Sequence, residues 1–212
     1  MRRASSSVFL FLALAGCERE PLGLVCTPLP PGALAVTELS AADWRWIEIV
    51  NPGLAPVDAS GVQFWILRQD GRKQGDFWIR DRGPGDRGWF LDPGELKVLG
   101  RFPAAIAPTW VDYPYGDEEA VEFPSAGMLE IRNCNDHTLP GEANPALIDR
   151  VVWDALPGTG SLAFDGARAP SASANDDPAA WCEDRTLQVF GTGPYDQVLG
   201  TPGEVNRVCP TP

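Results

Sequence analysis

Short apolar runs, each ended within a few residues by Gly, Pro or Asp, recur along this chain from residue 34 onward. The first two set the pattern. Residues 34–40 read L-A-V-T-E-L-S and residues 44–53 read W-R-W-I-E-I-V-N-P-G, where Ile47 and Ile49 alternate with Trp46, Glu48 and Val50 before Asn-Pro-Gly stops the run. Alternation with period two followed by turn residues predicts a strand, and two such runs in succession predict a strand pair. Residues 57–67 continue as a third strand with Gly61 at a bulge or bend. Residues 89–91 and 96–99, joined by Asp92-Pro93-Gly94-Glu95, predict a hairpin. Further strand-like runs fall at 120–123, 128–132, 148–153, 160–164 and 186–190. No stretch of ten residues has a helical period and no internal repeat is present, so the fold class is all-β.

Two segments interrupt this rhythm. Residues 68–88 carry Asp, Arg and Gly around a small apolar island at 77–79, and residues 101–119 mix Pro with Trp110, Tyr113 and Tyr115 before ending in Asp117-Glu118-Glu119. Long loops on compact domains often carry function. Residues 169–180, small and polar, read as a loop covering a sheet edge.

The amino terminus follows another pattern. Arg2 and Arg3 precede an unbroken apolar run at 8–15, which as a helix would rise only about 12 Å against a bilayer core of about 30 Å, so a signal peptide is expected rather than a membrane span. Leu14-Ala15-Gly16-Cys17 resembles the bacterial lipobox. That resemblance implies lipidation of Cys17, which becomes the first mature residue, with diacyl or triacyl chains holding the protein on a membrane. Residues 17–32, with Pro21, Pro28, Pro30 and Pro31, then read as a membrane tether, and residues 33–209 as the folded domain.

Composition changes the picture in three ways. The 22 Gly and 21 Pro are spread along the length and call for many turns. The net charge of −12 becomes −14 once residues 1–16, with two Arg and no acid, are removed; a surface for nucleic acid needs concentrated Lys and Arg, so nucleic acid is excluded as a partner. Beyond Cys17 there remain Cys26, Cys134, Cys182 and Cys209, an even set with no C-x-x-C, which in an exported chain predicts two structural disulfides with three pairings open.

Candidate chemistry is sparse. Glu38 and Glu48 fall on neighbouring predicted strands, but Ile47 and Ile49 claim the core face, so Glu48 is expected to point outward as a solvated acid and no catalytic residue is assigned. His137 is the single histidine, in a polar turn beside Cys134, with no G-x-S-x-G to accompany it. The acids at 117–119 and in Asn175-Asp176-Asp177 lack the spacing of a calcium loop. No metal and no cofactor are expected. Trp110, Tyr113 and Tyr115 are the candidate ligand-binding residues, suited to sugar rings or a protein partner, with a cover over the open end of the core as the competing reading. Trp44, Trp46, Trp65 and Trp153 sit in strand runs and are read as core or sheet-face residues.

Seven pieces in order resemble the lamin-tail domain family of exported bacterial proteins: 36–39 (V-T-E-L), 46–53 (W-I-E-I-V-N-P-G), 56–62 (P-V-D-A-S-G-V), 91–100 (L-D-P-G-E-L-K-V-L-G), 147–151 (L-I-D-R-V), 158–162 (G-T-G-S-L) and 200–206 (G-T-P-G-E-V-N). The resemblance spans about residues 33–206 and implies an immunoglobulin-like β-sandwich, in agreement with the strand count. It supplies no catalytic residues. Relatives place Trp-Cys before the closing Gly-Thr-Pro-Gly and a Cys after it, as Trp181-Cys182 and Cys209 do here, which implies a Cys182–Cys209 bridge and leaves Cys26 with Cys134. The expected protein is a non-catalytic, lipid-anchored module of the bacterial cell envelope, structural or protein-binding, with the outer membrane favoured over the inner and the leaflet unassigned. The alternatives are a carbohydrate-binding envelope module and an envelope hydrolase using loop carboxylates.

Overall fold

The computed structural model describes residues 28–42, 45–80, 88–116, 121–134 and 145–211. In chain order its strands are β1 (Ala35–Ser40), β2 (Trp46–Val50), β3 (Val57–Asp58), β4 (Gln63–Arg68), β5 (Lys73–Trp78), β6 (Phe90–Leu91) and β7 (Leu96–Gly100). They continue as β8 (Tyr113–Pro114), β9 (Gly127–Arg132), β10 (Leu147–Trp153), β11 (Ser161–Phe164), β12 (Trp181–Asp184), β13 (Leu187–Val189) and β14 (Gln197–Leu199). One sheet has six strands in the order β12-β11-β1-β2-β7-β8, and a second has four, β10-β9-β4-β5. Two ribbons, β13-β14 and β3-β6, complete the set.

The two large sheets pack face to face. Val36, Leu39, Ile47, Ile49 and Leu99 from one meet Phe64, Ile66, Phe77, Leu129, Ile131 and Val151 from the other in a single buried cluster, the core of an all-β sandwich. The pairing of β1 with β2 shifts register between Val36 and Glu38. This irregularity lets Val36 and Leu39, three residues apart, both face the core.

The opening pair forms as its alternation predicts. The run at 57–67 is divided into β3 and β4 by a turn in which Gly61 takes a positive φ of 82° and donates its N–H to Ile79 O at 2.7 Å. The expected hairpin at 89–99 does not form: β6 pairs with β3 while β7 pairs with β2, so the turn at 92–95 links two sheets. No strand forms at 121–123. Strands β12 and β14 have no counterpart among the runs singled out in the sequence.

The outer face of the six-stranded sheet is covered. Trp46 and Val98 on that face join Phe102, Trp110, Val111 and Val198 in a second buried cluster, with Val198 supplied by β14. The chain after residue 186 thus roofs the sheet that residues 35–50 began.

Candidate functional site

The β1–β2 register sets Glu38 directly opposite Glu48. Both point away from the main core, as the alternation requires, yet both are fully buried because residues 200–206 lie over them. This corrects the expectation of a solvated Glu48. Glu38 accepts from the Ser161 hydroxyl and from Thr201 N at 3.0 Å. Glu48 accepts from Thr37 Oγ1 and from Gly203 N, each at 2.7 Å. Asn206 closes the arrangement by donating Nδ2 to Thr37 O at 2.7 Å. Gly200 is required at its position: its φ is 127°, and a Cβ there would lie 2.6 Å from Glu38 Oε1 and 2.7 Å from Ser161 Oγ.

Burying two carboxyls opposite each other disfavours charge on both. Desolvation raises the Glu38 pKa to about 7, against the pull of its donors, and it raises Glu48 well above the ordinary range, with the charge of Glu38 as the next cause. The hydrogen bonds are consistent with a retained proton. The Thr201 hydroxyl has one proton but stands 3.0 Å from Glu38 Oε2, 2.9 Å from Asn206 Oδ1 and 3.4 Å from Asp184 Oδ2, so a proton on Glu38 fills one of those gaps. Chemically the pair ties down a segment through the bonds from Thr201 N and Gly203 N. A cleft of about 500 Å³ opens beside it, walled by Pro52, Pro93, Leu96, Phe164, Pro170 and Val205, with Thr37 and Glu48 in its floor.

A second buried acid works in the same way. Asp149 Oδ2 accepts from Val36 N and from Asn175 Nδ2, both at 2.8 Å, and Asn175 Nδ2 also reaches Val36 O at 3.1 Å. The loop at 169–180 is therefore held onto β1 at its bulge. Burial raises Asp149 to about 6, opposed by those two donors. Asn175, in the loop at 169–180, is buried, while Asp177 caps the 3-10 turn Pro178–Ala180 by accepting from Ala179 N at 3.0 Å. Among the described residues no group of three or more His, Cys, Asp or Glu is placed to hold a metal.

The three candidate ligand-binding aromatics are buried: Trp110 is 6% exposed, Tyr113 3% and Tyr115 0%. They present no open ring face. Tyr115 stacks on Phe77 at 4.1 Å, which stacks on Phe64 at 4.8 Å, and its hydroxyl donates to Arg45 O at 2.9 Å. Tyr113 donates to Trp78 O, and Trp110 Nε1 donates to Tyr195 O. The aromatics pin the loop at 101–116 to both cores, so the core-cover reading describes them. Cys182 and Cys209 are joined by a disulfide, and Cys134 is also disulfide-bonded, to a partner outside the described residues. Cys17, Cys26, Trp44, the acids 117–119 and His137 lie outside the described residues as well.

Thr201, Gly203 and Asn206 escape sequence reasoning as functional groups; the sole signal is their place in the closing G-T-P-G-E-V-N. Asp149 is an acid inside an apolar strand run, a legible anomaly whose partner, Asn175, lies 26 residues away.

No family model matches the chain, and no curated protein or solved structure does.

Proposed function

We propose that this chain is a non-catalytic, lipid-anchored protein of the bacterial cell envelope, whose immunoglobulin-like, lamin-tail-like domain serves as a structural or protein-interaction module. The observation that carries the non-catalytic part is the burial of Glu38 and Glu48 beneath residues 200–206. Glu38 in particular could be reached only by lifting that segment and breaking the bond from Thr201 N. The carboxyls act as anchors for the chain itself. Support for the anchor is the Leu-Ala-Gly-Cys run ending at Cys17 after a basic and apolar leader.

Intact mass and fractionation after expression in a Gram-negative host test the reading, with Cys17→Ser as the control. The wild type is expected in the membrane fraction carrying the mass of acyl chains, and the variant is expected without them. Release of a soluble wild type cleaved beyond residue 17 would overturn the anchor.

A further inference from the structure

Asp149 and Asn175 each keep one buried side-chain oxygen, Oδ1 in both, with no hydrogen-bond donor. Both residues are only 2% exposed, so solvent does not serve these atoms. A buried acceptor without a donor is costly, and such an atom calls for something to satisfy it. The two side chains are already joined, since Asn175 Nδ2 donates to Asp149 Oδ2 at 2.8 Å. Asp149 Oδ2 also takes the Val36 N–H at 2.8 Å, so a proton on this carboxyl belongs on Oδ1.

Asn175 is also what holds its loop. Between Phe164 and Ala180 it is the one buried residue. Among the described residues, the hydrogen bonds from 169–177 to β1 and β10 all run through its side chain, to Val36 O and to Asp149 Oδ2. The loop's other bonds are local, such as Asn175 N to Ser171 O at 3.0 Å and Arg168 to Asp177 at 2.9 Å. Ala169 and Pro170 wall the cleft beside Glu48, while Ser171, Ser173 and Asp176 wall a second, of about 490 Å³, that Asp149 also lines. One attachment point therefore sets the shape of both clefts. The charges around Asp149 are few. Asp176 opposes its ionised form, as burial does more strongly, and the N–H groups of Val36 and Arg150 and the Asn175 amide favour it. The Arg150 guanidinium is held by Glu130, β9 sets the apolar Ile131 opposite Asp149, and Glu38 on β1 is bound by Ser161 and Thr201.

We propose that Asp149 and Asn175 form a proton-operated latch. With one proton on Asp149 Oδ1, donated to Asn175 Oδ1, the loop at 169–177 is locked onto β1; when that proton leaves to water, two acceptors face each other and the loop is released. A single proton satisfies both orphan oxygens, whereas a hard cation would need about six oxygen ligands. Burial raises the Asp149 pKa to about 6, so the latch is closed at pH 5 and open at pH 8. The two clefts are then held in shape in acid and loosened as pH rises.

The test is hydrogen exchange by mass spectrometry on the full-length protein in non-ionic detergent, with protection corrected for the intrinsic effect of pH. Amides of residues 171–176 are expected to lose protection about tenfold or more between pH 5 and pH 8, while those of β9 keep theirs and so exclude general unfolding. Asp149→Asn places a permanent amide donor opposite Asn175 Oδ1 and is expected to keep the loop protected at both pH values. Asn175→Ala is expected to leave it unprotected at both. Should Asp149→Asn not fold, Asp176→Asn, at an exposed position, is expected to move the midpoint of release to lower pH, and an unmoved midpoint places the titrating group elsewhere and overturns the latch. Equal protection of the wild-type loop at pH 5 and pH 8 overturns it too, as does a pH dependence that survives in Asp149→Asn. Recovery of protection at pH 8 on adding calcium would mean that the two oxygens hold a cation instead of a proton, which also overturns it.

Discussion

Glu38 and Glu48 give the fold an unusual dependence on acid. An acid whose folded pKa is raised holds its proton more tightly when folded, so the folded state gains as pH falls. For Glu38 the window runs from 4.5, its ordinary value, to about 7; the gain is complete below that window and lost above it, and the shift corresponds to about 3 kcal/mol. Asp149 acts in the same direction between 3.8 and about 6. The acids with lowered pKa values, Glu95, Asp165 and Asp177, oppose this only at lower pH. Thermal melts should therefore show stability falling from pH 5 to pH 8, with the slope reduced in Glu38→Gln. A rise over that range would mean that the carboxyls are ionised in their site. The orientation of Glu48 was legible in the alternation of residues 46–50. Its burial was not, because the cover comes from Gly203, 155 residues away, and no local pattern encodes so distant a contact.

At the scale of elements, legibility followed the apolar period: β5, six residues long but reading K-Q-G-D-F-W, lay unseen in the stretch 68–88. Strands β1, β2, β9 and β10 have five to seven residues, enough for an apolar period to show. Strands β3, β6 and β8 have two residues each and carry no period, so their partners are chosen by packing. This is why the turn at 92–95 looked like a hairpin and instead joins two sheets. The bridge from Cys182 to Cys209 fixes β12, at the edge of the six-stranded sheet, to the segment after the clasp across 27 residues. Loop-closure entropy gives such a cross-link about 3 kcal/mol. The Cys182→Ser/Cys209→Ser variant should lose about that much in urea unfolding, and a loss near zero would show that the clasp is held without it.

Taken whole, the sandwich has two unlike outer faces: one closed over by residues 186–206, where Trp46 and both glutamates are hidden, and one open, where indoles and guanidiniums alternate. All-β architecture and the opening strand pair could be read from the sequence; the division of labour between faces could not, since an outward residue looks the same whether a later segment covers it or not. Trp46 and Trp65 show this, alike in their strand runs, yet the first is fully buried and the second half-buried. The aromatics of residues 101–116 left two readings open for the same reason, and their burial decides for the cover over the core.

The clasp also has a consequence in time. Thr201 is made 163 residues after Glu38 and Gly203 155 residues after Glu48. During synthesis the first strand pair must wait, its carboxyls wet, until nearly the whole domain has been made. A chain ended at residue 199 should accordingly bind the dye ANS and yield to protease more readily than the full chain. The pair is covered only once the chain has been made past residue 203, so the open acids are the mark of an unfinished domain.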